Sequence, residues 1–137
     1  LLILDEPSVG LDPAERINLQ KLIRNYDNGE RIVLISSHIV NDVESLCDSV
    51  SILNRGKVLV SGSTSEIQAK ASRNIKEETM SEEAFRVLEK THAVINFFPI
   101  GSEYRVRYLT NEEMQEATTN PTLLDSYTYI IRKDQER

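Results

Sequence analysis

The sequence predicts an α/β fold with parallel strands, followed by a smaller α+β block. Two observations carry this. First, two short and wholly apolar runs, residues 1–4 and 32–35, flank one amphipathic helical stretch. Unbroken apolar runs of that length suit strands covered on both faces, as in a parallel sheet. Second, after about residue 71 the composition turns polar and charged, and alternating patterns replace the apolar runs. Alternation suits strands with one wet face.

Residues 1–5 read as a strand ending in Asp5, and residues 7–12 carry the loop formers Pro7, Ser8, Gly10 and Asp12. A chain that opens at core depth reads as the C-terminal portion of something longer. Asp12 is a good helix N-cap, Pro13 suits the first helical position, and Glu15 completes a capping box. Leu19, Leu22, Ile23 and Tyr26 share a helical face, and Asn28-Gly29 is the expected stop. Residues 31–36 form the next strand. Strand, helix and strand at this spacing make a βαβ unit with a right-handed crossover.

A helix over 40–47 gathers Val40, Val43, Leu46 and Cys47. A strand over 50–53 turns at Asn54-Arg55-Gly56-Lys57 and returns over 58–60 as a hairpin. Ser63 and Glu66 form a second capping box, opening a helix to about Ala71. Residues 72–83 have the polar character of a linker. Beyond them the pattern predicts a helix over 84–91, strands over 93–98 and 103–109, and a short helix over 111–118. The last segment, 122–132, places Leu123, Leu124, Tyr127, Ile130 and Ile131 on one helical face. Tyr127, Tyr129 and Ile131 also alternate as a strand would.

The chain has 137 residues, 39% of them apolar and 28% charged, with a net charge of −6. That is a globular balance, and the acidic sign argues against a nucleic-acid partner. No apolar run approaches the roughly 18–20 residues of a membrane span. Cys47 is the single cysteine, so no internal disulfide is expected, and the composition fits a reducing compartment. One cysteine and two separated histidines do not support a zinc site.

Asp5-Glu6 ends a strand at the carboxyl edge, where open α/β sheets bind ligands. One carboxylate there can hold Mg²⁺, usually through water, and the other can accept a proton from an attacking water. His38 follows Ser36-Ser37 at the end of the parallel neighbour and projects to the same edge. It can donate to a phosphate oxygen. Each feature alone is ordinary: strands often end in solvated acids, and loops often carry a histidine. His92 receives no role.

Together they form a longer pattern. Leu1-Leu2-Ile3-Leu4-Asp5-Glu6-Pro7-Ser8-Val9-Gly10-Leu11-Asp12-Pro13, then a helix, a strand and Ser36-Ser37-His38, resembles the ATP-binding subunit of ABC transporters. Asp5-Glu6 matches the end of that family's Walker B strand. Ser8-Val9-Gly10-Leu11-Asp12 matches its D-loop, and His38 its switch histidine. Leu46-Cys47-Asp48, the turn at 53–57 and Gly62-Ser63 are also similar. The resemblance covers residues 1 to about 71. It implies a partial P-loop NTPase (ABC ATPase) core with parallel strands and a C-terminal hairpin, then a small α+β accessory domain over 84–137.

The resemblance implies ATP and Mg²⁺ as cofactors. Asp5 would help hold the metal, Glu6 would polarise water, and His38 would contact the γ-phosphate. Ser8, Gly10, Leu11 and Asp12 would reach a second ATPase subunit, a copy or a paralogue. A separate transmembrane permease would be the other partner, placing the protein in the cytoplasm on the inner face of the membrane. No G-x-x-x-x-G-K-[ST] loop, glutamine loop or Leu-Ser-Gly-Gly-Gln signature occurs in the sequence. The chain by itself is therefore expected to hold ATP weakly and to be inactive alone. In the family fold the phosphate-loop strand lies between the strands at 31–36 and 50–54, so apolar strands are expected to face water here.

Pro121-Thr122-Leu123-Leu124-Asp125-Ser126-Tyr127 resembles the Pro-Ser/Thr-Leu-Glu-Asp-x-Phe/Tyr tail of ABC-2-type exporter ATPases, with Leu124 in place of Glu. It points to export. Two other readings stand beside this one. The chain can be a non-catalytic interaction or regulatory module, or part of a soluble ABC ATPase acting outside transport.

Overall fold

The computed structural model describes residues 1–27 and 29–136, and the expected helix stop at Asn28 lies outside the described residues. The described residues form a mixed α/β fold with one parallel and two further sheets, in two compact units that divide between Val50 and Ser51.

The first unit contains β1 (Leu2–Asp5), α1 (Pro13–Tyr26), β2 (Val33–Ser36) and α2 (Val40–Leu46). β1 and β2 pair in parallel, with Ile3 opposite Leu34 and Asp5 opposite Ser36. α1 starts where its cap dictates. The Asp12 carboxylate accepts the Glu15 amide at 2.8 Å, and the Glu15 carboxylate accepts the Asp12 amide at 3.0 Å. α1 and α2 are joined through Ser45, whose hydroxyl lies 3.1 Å from Gln20 Nε2 and whose carbonyl accepts from Arg24. Ile23 is the buried residue of α1, whereas Leu22, at the flank of the apolar stripe, is exposed.

One face of the parallel pair is open. Leu1, Ile3, Ile32 and Leu34 are 78%, 64%, 70% and 58% exposed. Their alternate neighbours Leu2, Leu4, Val33 and Ile35 are partly covered. Apolar strands thus face water, in line with the sequence expectation.

The second unit begins within β3 (Ser49–Asn54), which pairs with β4 (Lys57–Ser63) across Arg55 and Gly56. Both turn residues have positive φ, 48° and 76°. That is the backbone of a two-residue hairpin whose twist matches its strands. The unit continues with α3 (Thr64–Ala69), β5 (Ile75–Ser81), α4 (Glu82–Leu88), β6 (Ala93–Ile100), β7 (Glu103–Leu109) and α5 (Leu123–Gln135). β5, β7 and β6 form an antiparallel sheet in that order.

Alternation along β7 sends its side chains to two small cores. Val106 and Tyr108 pack with Phe85 of α4, while Leu109 packs with Ile75, Ala71 and Tyr129 of α5. Ser126 ties α5 to the end of α3, donating to the Gln68 carbonyl at 2.7 Å and accepting the Ala71 amide at 3.3 Å.

Two segments differ from the sequence expectation, and a third is decided between its two readings. Residues 75–81, read as part of a linker, form β5. Their partners lie on β7, where Arg107 meets Glu77 at 2.9 Å and Tyr108 donates to Glu78 at 3.0 Å. The helix expected over 111–118 does not form. Its polar groups are engaged elsewhere: the Met114 amide bonds the Arg73 carbonyl at 2.8 Å, and Thr118 donates to the Ile75 carbonyl at 3.2 Å. Residues 123–135 are a helix, not the rival strand, because Thr122 and Asp125 build a third capping box.

Candidate functional site

The carboxyl ends of β1 and β2 bring Asp5, Glu6, Ser36, Ser37 and His38 together. The parallel register sets Asp5 beside Ser36, and Ser36 Oγ donates to Asp5 Oδ1. Asp5 shares the parity of Leu1 and Ile3, so it sits at the end of the open face.

Glu6 leaves the strand direction. Its amide still bonds the Ser36 carbonyl at 2.9 Å, but its φ is +48°. For a residue with a Cβ this left-handed conformation costs on the order of 1–2 kcal/mol. The carboxylate gains partners from it. Oε1 accepts the His38 amide at 3.0 Å, and Oε2 lies 2.8 Å from His38 Nδ1. Ser37 Oγ stands at 3.5 Å from Oε2 and accepts the Ile39 amide at 3.0 Å. A proton on Nδ1 is therefore directed at Glu6, which fixes the ring orientation. The imidazole is otherwise open, 73% exposed.

The loop after Glu6 folds on itself. The Val9 amide bonds the Glu6 carbonyl at 3.2 Å and the Leu11 amide bonds the Ser8 carbonyl at 3.3 Å. Gly10 takes φ +81°, a conformation that glycine adopts without strain. Val9 and Gly10 are exposed at the loop tip, Ser8 is buried, and Asp12 serves as the N-cap of α1.

Sequence reasoning did not single out Arg16 and Asp42. Arg16 Nε donates to the Leu11 carbonyl at 3.3 Å, and its Nη1 lies 3.8 Å from Asp42 Oδ2. Arg16 thus links the 7–12 loop to α2. Ser8, Arg16 and Asp42 line a cavity of about 10 Å³ in this unit. Only three-dimensional proximity connects positions 8, 16 and 42; no spacing motif does.

Among the described residues no cluster of three His, Cys, Asp or Glu side chains could hold a metal ion by itself. One carboxylate with a neighbouring hydroxyl, as at Asp5 and Ser36, suits Mg²⁺ shared with a phosphate ligand and water. Cys47, half-buried, has its thiol pushed up by burial and then by Asp48, so it is a poor nucleophile. No helix of the described residues is long and apolar enough to cross a membrane.

No family model matches the chain. Curated relatives do. An uncharacterised ABC transporter ATP-binding protein of Synechocystis is 40% identical over 67 residues, covering 49% of this chain and 19% of that protein. The linearmycin resistance ATP-binding protein of Bacillus subtilis is 33% identical over 67 residues, 49% of this chain and 22% of its own length. The vitamin B12 import ATP-binding protein of Yersinia enterocolitica is 39% identical over 67 residues, 49% of this chain and 26% of its own. The chain spans about a fifth to a quarter of the length of these relatives. About half of the chain is homologous to the ATP-binding proteins of ABC transporters.

Proposed function

We propose that residues 1–71 are the C-terminal part of an ATP-hydrolysing domain that powers an ABC transporter, with an accessory α+β domain after it. The observation that carries this is the bonding of the Glu6 carboxylate to both the amide and Nδ1 of His38, beside Asp5, at the carboxyl edge of a parallel strand pair. Relatives whose names state ATP binding support the nucleotide class.

In this reading Asp5, with Ser36 as its neighbour, holds Mg²⁺, which neutralises charge on the phosphates when bound. Glu6 accepts the proton of an attacking water at a carboxylate oxygen. His38 positions that carboxylate through Nδ1 and reaches a phosphate oxygen through Nε2. With Nδ1–H given to Glu6, it donates there only in its doubly protonated form. Val9 and Gly10, exposed at the loop tip, and the neighbouring Leu11 and Asp12 meet a second ATPase subunit. A separate permease holds the assembly at the inner face of the membrane. The tail from Pro121 to Tyr127 favours export, and relatives named for resistance and for import are about equally similar in the matched half.

The experiment is Glu6→Gln in the intact subunit that contains this chain. ATP binding and dimer formation persist, and turnover falls by roughly 10²–10⁴-fold, the span of a general base. Retained turnover removes Glu6 from that role.

A further inference from the structure

The antiparallel sheet of the second unit has a half-face that no helix covers. Register and alternation define it. Thr79, Arg105 and Phe98 lie side by side in one row across β5, β7 and β6, and Ser81, Glu103 and Ile100 form the next row. All six are exposed, with Phe98 at 56% and Ile100 at 43%. Further along the same face, Ala71 and Tyr129 cover Ile75 and Leu109, and Arg107 is pinned to Asp125. Among the described residues Arg105 and Glu103 join no ion pair, whereas the neighbouring Arg107 has two.

We propose that this half-face packs against the same face of a second copy of the chain. The two rows are complementary to each other under a twofold axis that runs across the strands between them. Such an axis reverses strand direction and keeps strand position. It sets Arg105 against Glu103 of the other copy, and Glu103 against Arg105. Phe98 then meets Ile100, and Thr79 meets Ser81. Every contact is matched in kind and occurs twice, as an isologous interface requires. The apolar column supplies burial and the charged column sets the register.

Edge-to-edge pairing through β6 is not an equivalent route. The Phe97 amide is already bonded to Asn96 Oδ1 at 2.8 Å, and Pro99 has no amide hydrogen. Six side chains a side make a weak interface, below the roughly 1,000 Å² of a stable complex, so it acts at high local concentration. The proposal is independent of the ATPase assignment.

Sedimentation velocity of the chain, carried to high concentration, tests it with Arg105→Glu and Glu103→Arg. Each single variant sets like charges against each other across the axis and loses self-association by roughly tenfold or more. The double variant Glu103→Arg/Arg105→Glu recovers it. An equimolar mixture of the two single variants forms a heterodimer, although neither self-associates. These side chains are exposed, and unchanged circular dichroism checks the fold of each variant. Association through the open face of β1 and β2 is blind to these charges. Identical sedimentation of the wild type and all variants, or a mixture no more associated than its components, overturns the proposal.

Discussion

Asp125 should be the most sensitive polar residue of the second unit. Its carboxylate is fully buried and holds four bonds: Arg107 Nε at 2.9 Å, Arg107 Nη2 at 2.6 Å, the Thr122 amide at 2.6 Å and the Thr122 hydroxyl at 2.8 Å. Asp125→Ala removes the N3 half of the α5 capping box and leaves the Thr122 N-cap, a loss of up to about 1 kcal/mol, and it takes the bidentate partner from a largely buried guanidinium, worth about 3–5 kcal/mol. Arg107 keeps Glu77, Thr119 and the Asn120 carbonyl, which places the pairing loss at the low end. The two losses share Oδ2 and do not add in full. The expected total is about 3 kcal/mol, a fall in Tm on the order of 15 °C for a unit of this size. Urea unfolding followed by tyrosine fluorescence reads it, because Tyr104, Tyr108, Tyr127 and Tyr129 all lie in this unit. The pair Arg107→Met with Asp125→Leu should recover most of the loss, since an apolar pair of similar volume leaves no stranded charge. A loss below about 1 kcal/mol for Asp125→Ala, or a double variant as unstable as the single, refutes the reasoning.

Three further outcomes are expected. Arg55→Asn should stabilise the hairpin by about 0.5–1 kcal/mol, because Arg55 sits at φ +48° before Gly56 and asparagine tolerates that conformation; an unchanged urea midpoint would count against the turn assignment. Acid should weaken the second unit. The Lys76 ammonium hydrogen-bonded to Glu78 holds that carboxyl below its ordinary value of 4.5, and the Ser63 hydroxyl does the same for Glu66. A carboxyl depressed in the folded state contributes stability above its unfolded value and loses it as pH falls through the folded value. The urea midpoint should therefore drop as the pH falls below the ordinary carboxyl range, less steeply in Glu78→Gln. Leu34→Thr should raise solubility without unpairing β1 from β2, since Leu34 is 58% exposed on the open face; unaltered aggregation would locate the sticky surface elsewhere.

What the sequence made legible was local. Asp12 with Glu15 and Ser63 with Glu66 lie three residues apart, and each pair closes its capping box as the spacing implies. Asn54-Arg55-Gly56-Lys57 is a turn in its own composition. β5 was hidden for the opposite reason. Ile75–Ser81 has little apolar character of its own, and Glu77 and Glu78 become strand residues through Arg107 and Tyr108, thirty positions away. The failed helix at 111–118 has the same origin, since its Met114 amide and Thr118 hydroxyl bond the carbonyls of residues 73 and 75, about forty positions earlier.

The candidate site divides along that line. Asp5, Glu6 and His38 could be gathered from strand ends alone, because a parallel pair delivers both carboxyl termini to one edge. The division of labour between the two acids could not. Consecutive strand residues point to opposite faces, so a regular strand would send Glu6 away from Asp5. The left-handed turn at Glu6 redirects the chain, and the strain is offset by bonds from the His38 amide and ring. Asp5 is left on the open face beside the Ser36 hydroxyl, where the proposed function puts the cation, while Glu6 is oriented by donors from β2's far end. In the proposed site it is a backbone conformation, not a residue type, that separates the carboxylate assigned to the metal from the one assigned to the proton.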